Sequence, residues 1–229
     1  MSIAENIHTV KEKMAAAAQR AGRSLDDCQL LVVSKTWPAD IVAEAGAEHP
    51  LLGESKLQEA EVKIAELDDS ISWHYIGHVQ RNKVRKILPL FDVIHAVDSL
   101  KLARYTSNVA GELGIKAKVF IQINQGAEES KHGFSEGDLR TQLAELMQLE
   151  NLDIQGLMSI PPASENAEGA RAWFRQLREL RDELNQLDGV ALPLLSMGMS
   201  HDYEIAIEEG SNIVRVGSAI FGSRHYPTA

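Results

Sequence analysis

The chain has 229 residues, 44% hydrophobic and 24% charged, with a formal net charge of −10. That length suits one large domain or two small ones, an acidic surface argues against nucleic-acid binding, and no apolar run approaches the roughly 20 residues that a membrane helix needs. Cys28 is the one cysteine, which excludes an intramolecular disulfide and suits a reducing cytoplasm. It precedes an apolar run and reads as structural rather than nucleophilic. Glu5, Lys11, Glu12 and Lys13 crowd the N-terminus, so no secretory signal is expected there.

Residues 3–22 read as a helix with Gly22 as its closing residue. The continuous apolar run 29–35 has strand length, and Pro38 opens a helix to about Ala47. Residues 50–55 form a short strand and 56–67 a helix. A strand at 72–77 precedes a helix at 80–88. A strand at 91–98 precedes a helix over 99–113. Residues 117–124 are a strand, and a helix over 135–148 follows a polar loop. Residues 152–160 are a strand stopped by Pro161-Pro162. The helix over 168–187 carries Ala170, Trp173, Phe174, Leu177, Leu180, Leu184 and Leu187 as an apolar stripe. A strand at 193–198, a short helix at 201–209 and a last strand beginning near 212 complete the pattern. Continuously apolar strands alternating with helices imply a parallel sheet covered on its outer face. Eight such units predict one closed (β/α)8 TIM barrel over 1–229, with an additional N-terminal helix. An open doubly wound sheet is disfavoured, because no G-x-G-x-x-G follows the first strand.

Sites in such barrels lie at the C-terminal ends of the strands. Here Lys35 ends the first strand, and Gly53-Glu54-Ser55 ends the second. The third carries His74. The seventh ends in Ser196-Met197-Gly198-Met199-Ser200, and the eighth carries Arg215 before Gly217-Ser218. Gly198, Ser200, Gly217 and Ser218 are ordinary turn residues taken singly. Together, after the last two strands, they point to a phosphate cradle. Arg215 lies between two valines, so an inward guanidinium requires either a glutamate or a ligand acceptor. Lys35 shares strand parity with Val33, and is either a solvated strand end or an amine able to form a Schiff base. A lysine, an arginine and a phosphate cradle at one barrel mouth fit pyridoxal phosphate.

Other groups carry less. His8, His49, His95 and His225 have no metal-ligand spacing, so no metal is expected, and isolated histidines read as structural. Lys83, Arg85 and Lys86 read as a solvated helix face. Lys131 lies in an exposed loop near the fifth strand.

The segments LVVSKTWP, GESKLQEA, WHYIGHVQRNK, INQGAEESKHGF, GLMSIPP and LSMGMSHDYEIAIEEGSNIVRVGSAIFGSR resemble, in order and spacing, the pyridoxal-phosphate homeostasis proteins. These are single-domain barrels similar to the barrel domain of alanine racemase. The resemblance implies Lys35 as the Schiff-base lysine, and Ser200, Gly217 and Ser218 as the phosphate cradle. It places Arg215 against the pyridine nitrogen, with His74 and Met199 lining the cofactor. Ser55 stands where the family usually has asparagine, a shorter hydrogen-bonding side chain, while Lys131 and Gly133 match. The resemblance further implies a cytosolic monomer that buffers pyridoxal phosphate and delivers it to apo-enzymes, affecting amino-acid and keto-acid balance, with no catalytic residue.

The alternative is a racemase-like enzyme. Racemisation requires an acid and a base on opposite faces of the substrate carbon. Alanine racemases take the second base from a further domain, for which a chain ending at Ala229 is expected to have no room. Arginine stays protonated, so Arg215 is expected to leave the pyridine nitrogen unprotonated and weaken the ring as an electron sink. A lyase would need a carboxylate inside the barrel, and Glu54 is the strand-end candidate.

Overall fold

A computed structural model describes residues 2–126 and 132–222. Ser2 caps α1 (Ile3–Arg20) through a reciprocal box: the Ser2 hydroxyl accepts the Glu5 N–H, and the Glu5 carboxylate accepts the Ser2 N–H. Gly22 then takes a left-handed φ of +67° and ends the helix turn. Buried Ile7, Val10, Met14, Ala17 and Ala18 form the face of α1 that packs on the barrel.

The strands are β1 (Gln29–Val33), β2 (Leu51–Glu54), β3 (Ser72–Tyr75), β4 (Val93–Val97), β5 (Ala117–Ile123), β6 (Leu152–Ser159), β7 (Leu194–Met199) and β8 (Ile213–Val216). They pair in parallel in chain order, and β8 returns to β1 to close the barrel. Outside them lie α2 (Ala39–Glu48), α3 (Leu57–Glu66), α4 (Val84–Ile87), α5 (Leu100–Glu112), α6 (Glu136–Met147), α7 (Arg171–Leu184), α8 (Tyr203–Glu208) and α9 (Ser218–Phe221). The predicted (β/α)8 TIM barrel with an extra N-terminal helix is therefore the observed fold. Among the described residues no helix is long and apolar enough to cross a membrane.

Arg215 reaches into the interior to β6 and β7, which fixes its own inward parity and the outward parity of its strand neighbours. Val214 and Val216 then face the helices, where both are buried. At Gly156 a Cβ would sit 1.8 Å from the Leu194 carbonyl oxygen, so β6 and β7 approach closely only without a side chain there.

Three expectations need correction. Residues 80–88 are not one helix but a 3-10 turn (Arg81–Lys83) followed by the single turn α4. The helix expected over 168–187 starts as a 3-10 turn (Ala167–Ala170) and stops at Leu184. Leu187 consequently leaves the buried stripe and is 54% exposed, while the Asn185 side chain pairs with the backbone of Leu192 and turns the chain. Finally, β1 ends at Val33, not Lys35. Ser34 N–H still reaches the Gly53 carbonyl at 3.1 Å, but Trp37 N–H bonds back to the Ser34 carbonyl at 3.2 Å. Lys35 therefore lies in a turn, and strand parity with Val33 does not set its direction.

Candidate functional site

The site begins with that turn. Ser34 is fully buried, and its hydroxyl donates to Glu54 Oε1 at 2.7 Å. Lys63, from α3, donates from Nζ to the same oxygen at 2.5 Å and to the Ser34 carbonyl at 2.9 Å. Gly53 shares its register with His74 and Val33, so its successor Glu54 faces outward to α3. The carboxylate nominated for chemistry inside the barrel is thus a structural pin between two strands and a helix. Beyond the pin, half-buried Lys35 is followed by Thr36 at φ +72°, a conformation that β-branched residues rarely adopt. The Thr36 N–H donates to Glu59 Oε2 at 2.9 Å. Trp37 stacks on Phe221 at 5.5 Å between ring centroids, which joins this turn to the segment after β8.

The second part is the pair of loops after β7 and β8. Gly198 has φ +94°, and a Cβ there would meet the Ala206 Cβ at 2.5 Å. The Met199 N–H donates to Asp202 Oδ1 at 2.6 Å, turning the chain into α8. Ser200 Oγ accepts the N–H groups of Gly217 at 3.1 Å and Ala219 at 3.4 Å. The hydroxyl proton of Ser200 is therefore directed away from the backbone donors that converge on its oxygen. A Cβ on Gly217 would stand 3.0 Å from the Val33 carbonyl oxygen. This contact sets the cradle beside the Lys35 turn, because β1 and β8 are neighbours, rather than opposite it across the mouth. Ser218 is exposed on the same rim. Ser55 is half-buried after β2, and a Cβ on Gly77 would come within 2.1 Å of its carbonyl oxygen, so β3 turns tightly against it.

Below this rim the barrel interior is polar. Arg215 is 5% exposed. Its NH1 donates to the Ser196 carbonyl at 2.7 Å and the Ser196 hydroxyl at 2.8 Å, and its NH2 to the Ser159 carbonyl at 2.9 Å. Burial pulls its pKa down to about 10, against the attraction of Asp202, so it remains a cation at neutral pH. His95 Nδ1 lies 2.9 Å from Ser196 Oγ, and His95 Nε2 lies 2.9 Å from His74 Nδ1. The His95 ring also stacks on Phe120 at 4.6 Å. Desolvation lowers the His74 pKa to about 4 and the His95 pKa well below its ordinary value. Both imidazoles are neutral at pH 7.

Of the eight predicted site residues, Lys35, Ser55, Ser200, Gly217 and Ser218 lie on the rim at the C-terminal ends of the strands. Half-buried Met199 pairs in register with Arg215, and Arg215 and His74 lie inside. Lys83 is half-buried in the turn before α4, and exposed Arg85 pairs with Glu112 on α5. Lys131 lies outside the described residues.

Sequence reasoning missed His95 and Ser196, although a signal existed. His95 alternates with Val93 and Val97, and Val93 pairs with inward-facing His74. It also missed a cluster at the mouth, where Asp98 Oδ2 lies 3.1 Å from His78 Nδ1 and 3.7 Å from His132 Nδ1. The three residues are distant in sequence, so no ligand spacing advertises them. The two rings stack at 3.8 Å and 13°, and both Nδ1 atoms lie against the one Asp98 oxygen.

Comparison with known proteins identifies the family. The family model of the alanine racemase N-terminal domain matches residues 3–225. The pyridoxal phosphate homeostasis protein of Aquifex aeolicus is 42% identical over 228 residues, covering 99% of this chain and 100% of the relative. That of Pseudomonas aeruginosa is 44% identical over 227 residues, covering 98% and 97%. The structure of PipY from Synechococcus elongatus with pyridoxal phosphate bound superposes with a TM-score of 0.84 at 38% identity, covering 96% of this chain and 100% of that one. The chain belongs to the alanine racemase N-terminal domain family and, within it, to the pyridoxal phosphate homeostasis proteins.

Proposed function

We propose that this chain binds pyridoxal 5'-phosphate as a carrier and buffer of the cofactor in the cytoplasm, with Lys35 holding it covalently. The observation that carries this reading is the meeting of three features at one barrel mouth. Val33, at the end of β1 just before the Lys35 turn, packs on the Ser200–Gly217 cradle, and charged Arg215 lies below them. The residues present fit the group. Gly217 leaves space that a Cβ would fill, and the Ser159 hydroxyl, beside Arg215, is a buried polar atom with no partner among the described residues. An aldehyde of this kind condenses with a primary amine, releasing water.

Ser200 and Ser218 would supply hydroxyl donors for the phosphate, while Gly217, whose N–H donates to Ser200 Oγ, would leave room for the anion to approach. Arg215 would donate to the ring nitrogen, which can accept only while it keeps its lone pair. His74 and Met199 would line the ring, and Ser55 would offer a hydroxyl where the family usually has an amide. Glu54 supports the carrier reading over an enzyme, because its ion pair with Lys63 keeps this carboxylate outside the barrel and away from acid–base work. Buried Cys28, whose thiol pKa is raised by desolvation, suits a reducing compartment. The protein works as a monomer that hands cofactor to apo-enzymes.

Titration of the purified protein with pyridoxal phosphate, followed by absorbance, should give saturable binding. Borohydride should then fix the cofactor on the Lys35 peptide by mass spectrometry. Lys35→Ala should lose the fixed adduct while retaining phosphate-dependent binding. No uptake of the cofactor, or fixation on another lysine, overturns the assignment. Racemisation of a free amino acid by the loaded protein would overturn the carrier role.

A further inference from the structure

The interior hydrogen bonds have a direction that donor counting determines. Arginine has five N–H donors and no acceptor. Three of them are used, two on NH1 to Ser196 and one on NH2 to the Ser159 carbonyl. Ser196 Oγ, fully buried, therefore accepts from Arg215 and must send its own proton elsewhere. Its other hydrogen-bond partner is His95 Nδ1 at 2.9 Å. If His95 donated instead, the Ser196 hydroxyl proton would be left buried with no acceptor, which native interiors avoid. His95 Nδ1 is therefore the acceptor, and a neutral His95 carries its proton on Nε2. Nε2 donates to His74 Nδ1 at 2.9 Å, so His74 in turn carries its proton on Nε2.

We propose that Ser196 and His95 are positioning residues. They form a one-way hydrogen-bond relay from Arg215 to His74 that orients the guanidinium and makes His74 Nε2 a donor. The barrel interior then presents donors at both ends of the relay, two remaining N–H groups of Arg215 and the Nε2–H of His74. The ligand class selected is one with acceptor atoms, such as an unprotonated heteroaromatic nitrogen or a phenolate oxygen. A ring whose nitrogen carries a proton meets the Arg215 cation there. Neutrality of both imidazoles, enforced by desolvation, is what lets each ring pass one hydrogen bond on. The identity of the ligand rests on the cofactor reading above, whereas the direction of the relay does not.

The test is long-range proton–nitrogen correlation spectroscopy on the cofactor-free protein, with histidine labelled by nitrogen-15, at pH 7. His74 and His95 should each show the Nε2–H tautomer. Ser196→Thr keeps a hydroxyl and should preserve the pattern. Ser196→Ala should mix the tautomers of His95 and weaken pyridoxal phosphate binding about tenfold, the loss of roughly one hydrogen bond to a charged network. An Nδ1–H tautomer on His95 in the unsubstituted protein overturns the relay, and that spectrum needs no variant to fold. Tautomers unchanged in Ser196→Ala overturn the role of Ser196. Correct tautomers in a protein that takes up no pyridoxal phosphate would instead sink the cofactor reading and leave the relay standing.

Discussion

Two buried polar clusters, one on each side of the sheet, hold their charges in different ways. Outside, between β1, β2 and α3, Ser34, Glu54 and Lys63 form an ion pair with a shared hydroxyl, sealed at 0%, 0% and 4% exposure. Inside, one cation, Arg215, is held by neutral groups, namely two carbonyls, a hydroxyl and, through it, two imidazoles. The outer cluster consumes its charges in fixing where β1 ends. The inner one keeps its charge uncompensated by a close carboxylate and keeps donors unused. A buried ion pair is a means of holding backbone, while a buried cation supported by dipoles is a means of meeting a ligand.

Breaking the outer cluster should have the largest effect. Glu54→Ala leaves the Lys63 ammonium buried without its counter-charge and should destabilise the fold by about 3–5 kcal/mol, read as a lower urea midpoint. A loss under about 1 kcal/mol would show that the pair is dispensable and that the two clusters do not differ in this way.

Acid should act on the inner cluster next. The His74 pKa is depressed to about 4 by desolvation, so between about pH 6.5 and 4 the unfolded chain takes up a proton that the folded chain refuses. Stability from this group is complete above about pH 6.5 and is lost as pH falls through 4, by about 2 kcal/mol at pH 5 and about 3 at pH 4. His95 adds in the same direction. Urea midpoints of the unsubstituted protein and His74→Gln, compared between pH 7.5 and 5, should converge as pH falls. Parallel curves would show that His74 is protonated in the folded state.

The smallest effect tests how the outer cluster reaches the site. Thr36 is held at φ +72°, and Thr36→Asn, a residue more tolerant of that region, should stabilise the fold by up to about 1 kcal/mol. If the pin enforces the turn, this gain should shrink in the Glu54→Ala background by double-mutant cycle. Strict additivity would uncouple the pin from the turn.

Much of this molecule is legible in its residues. β5 and β6 read as strands because their apolar runs have strand length and end at turn residues, and the amphipathic stripe of α7 holds through Phe174, Leu177, Leu180 and Leu184. Gly198, Ser200, Gly217 and Arg215 were legible because the barrel collects the C-terminal ends of its strands at one mouth. Lys35 reads as a strand end but lies in a turn, since that turn is made by Ser34 and Trp37 together with a lysine on α3 that lies 29 positions beyond Ser34. His95 was read as one structural histidine among several, because its meaning depends on Ser196, 101 residues away.

The sequence by itself determined the alternation of strands and helices, the residues that follow the strand ends and the family, because each is written in local pattern or contiguous motif. Tertiary structure alone decided that Glu54 faces Lys63, that the cradle adjoins the lysine turn, and that one arginine orders a serine and two histidines. These depend on register around a closed barrel, where a shift of one residue exchanges inside for outside, and on donor counts that close only when distant strands are brought within 3 Å.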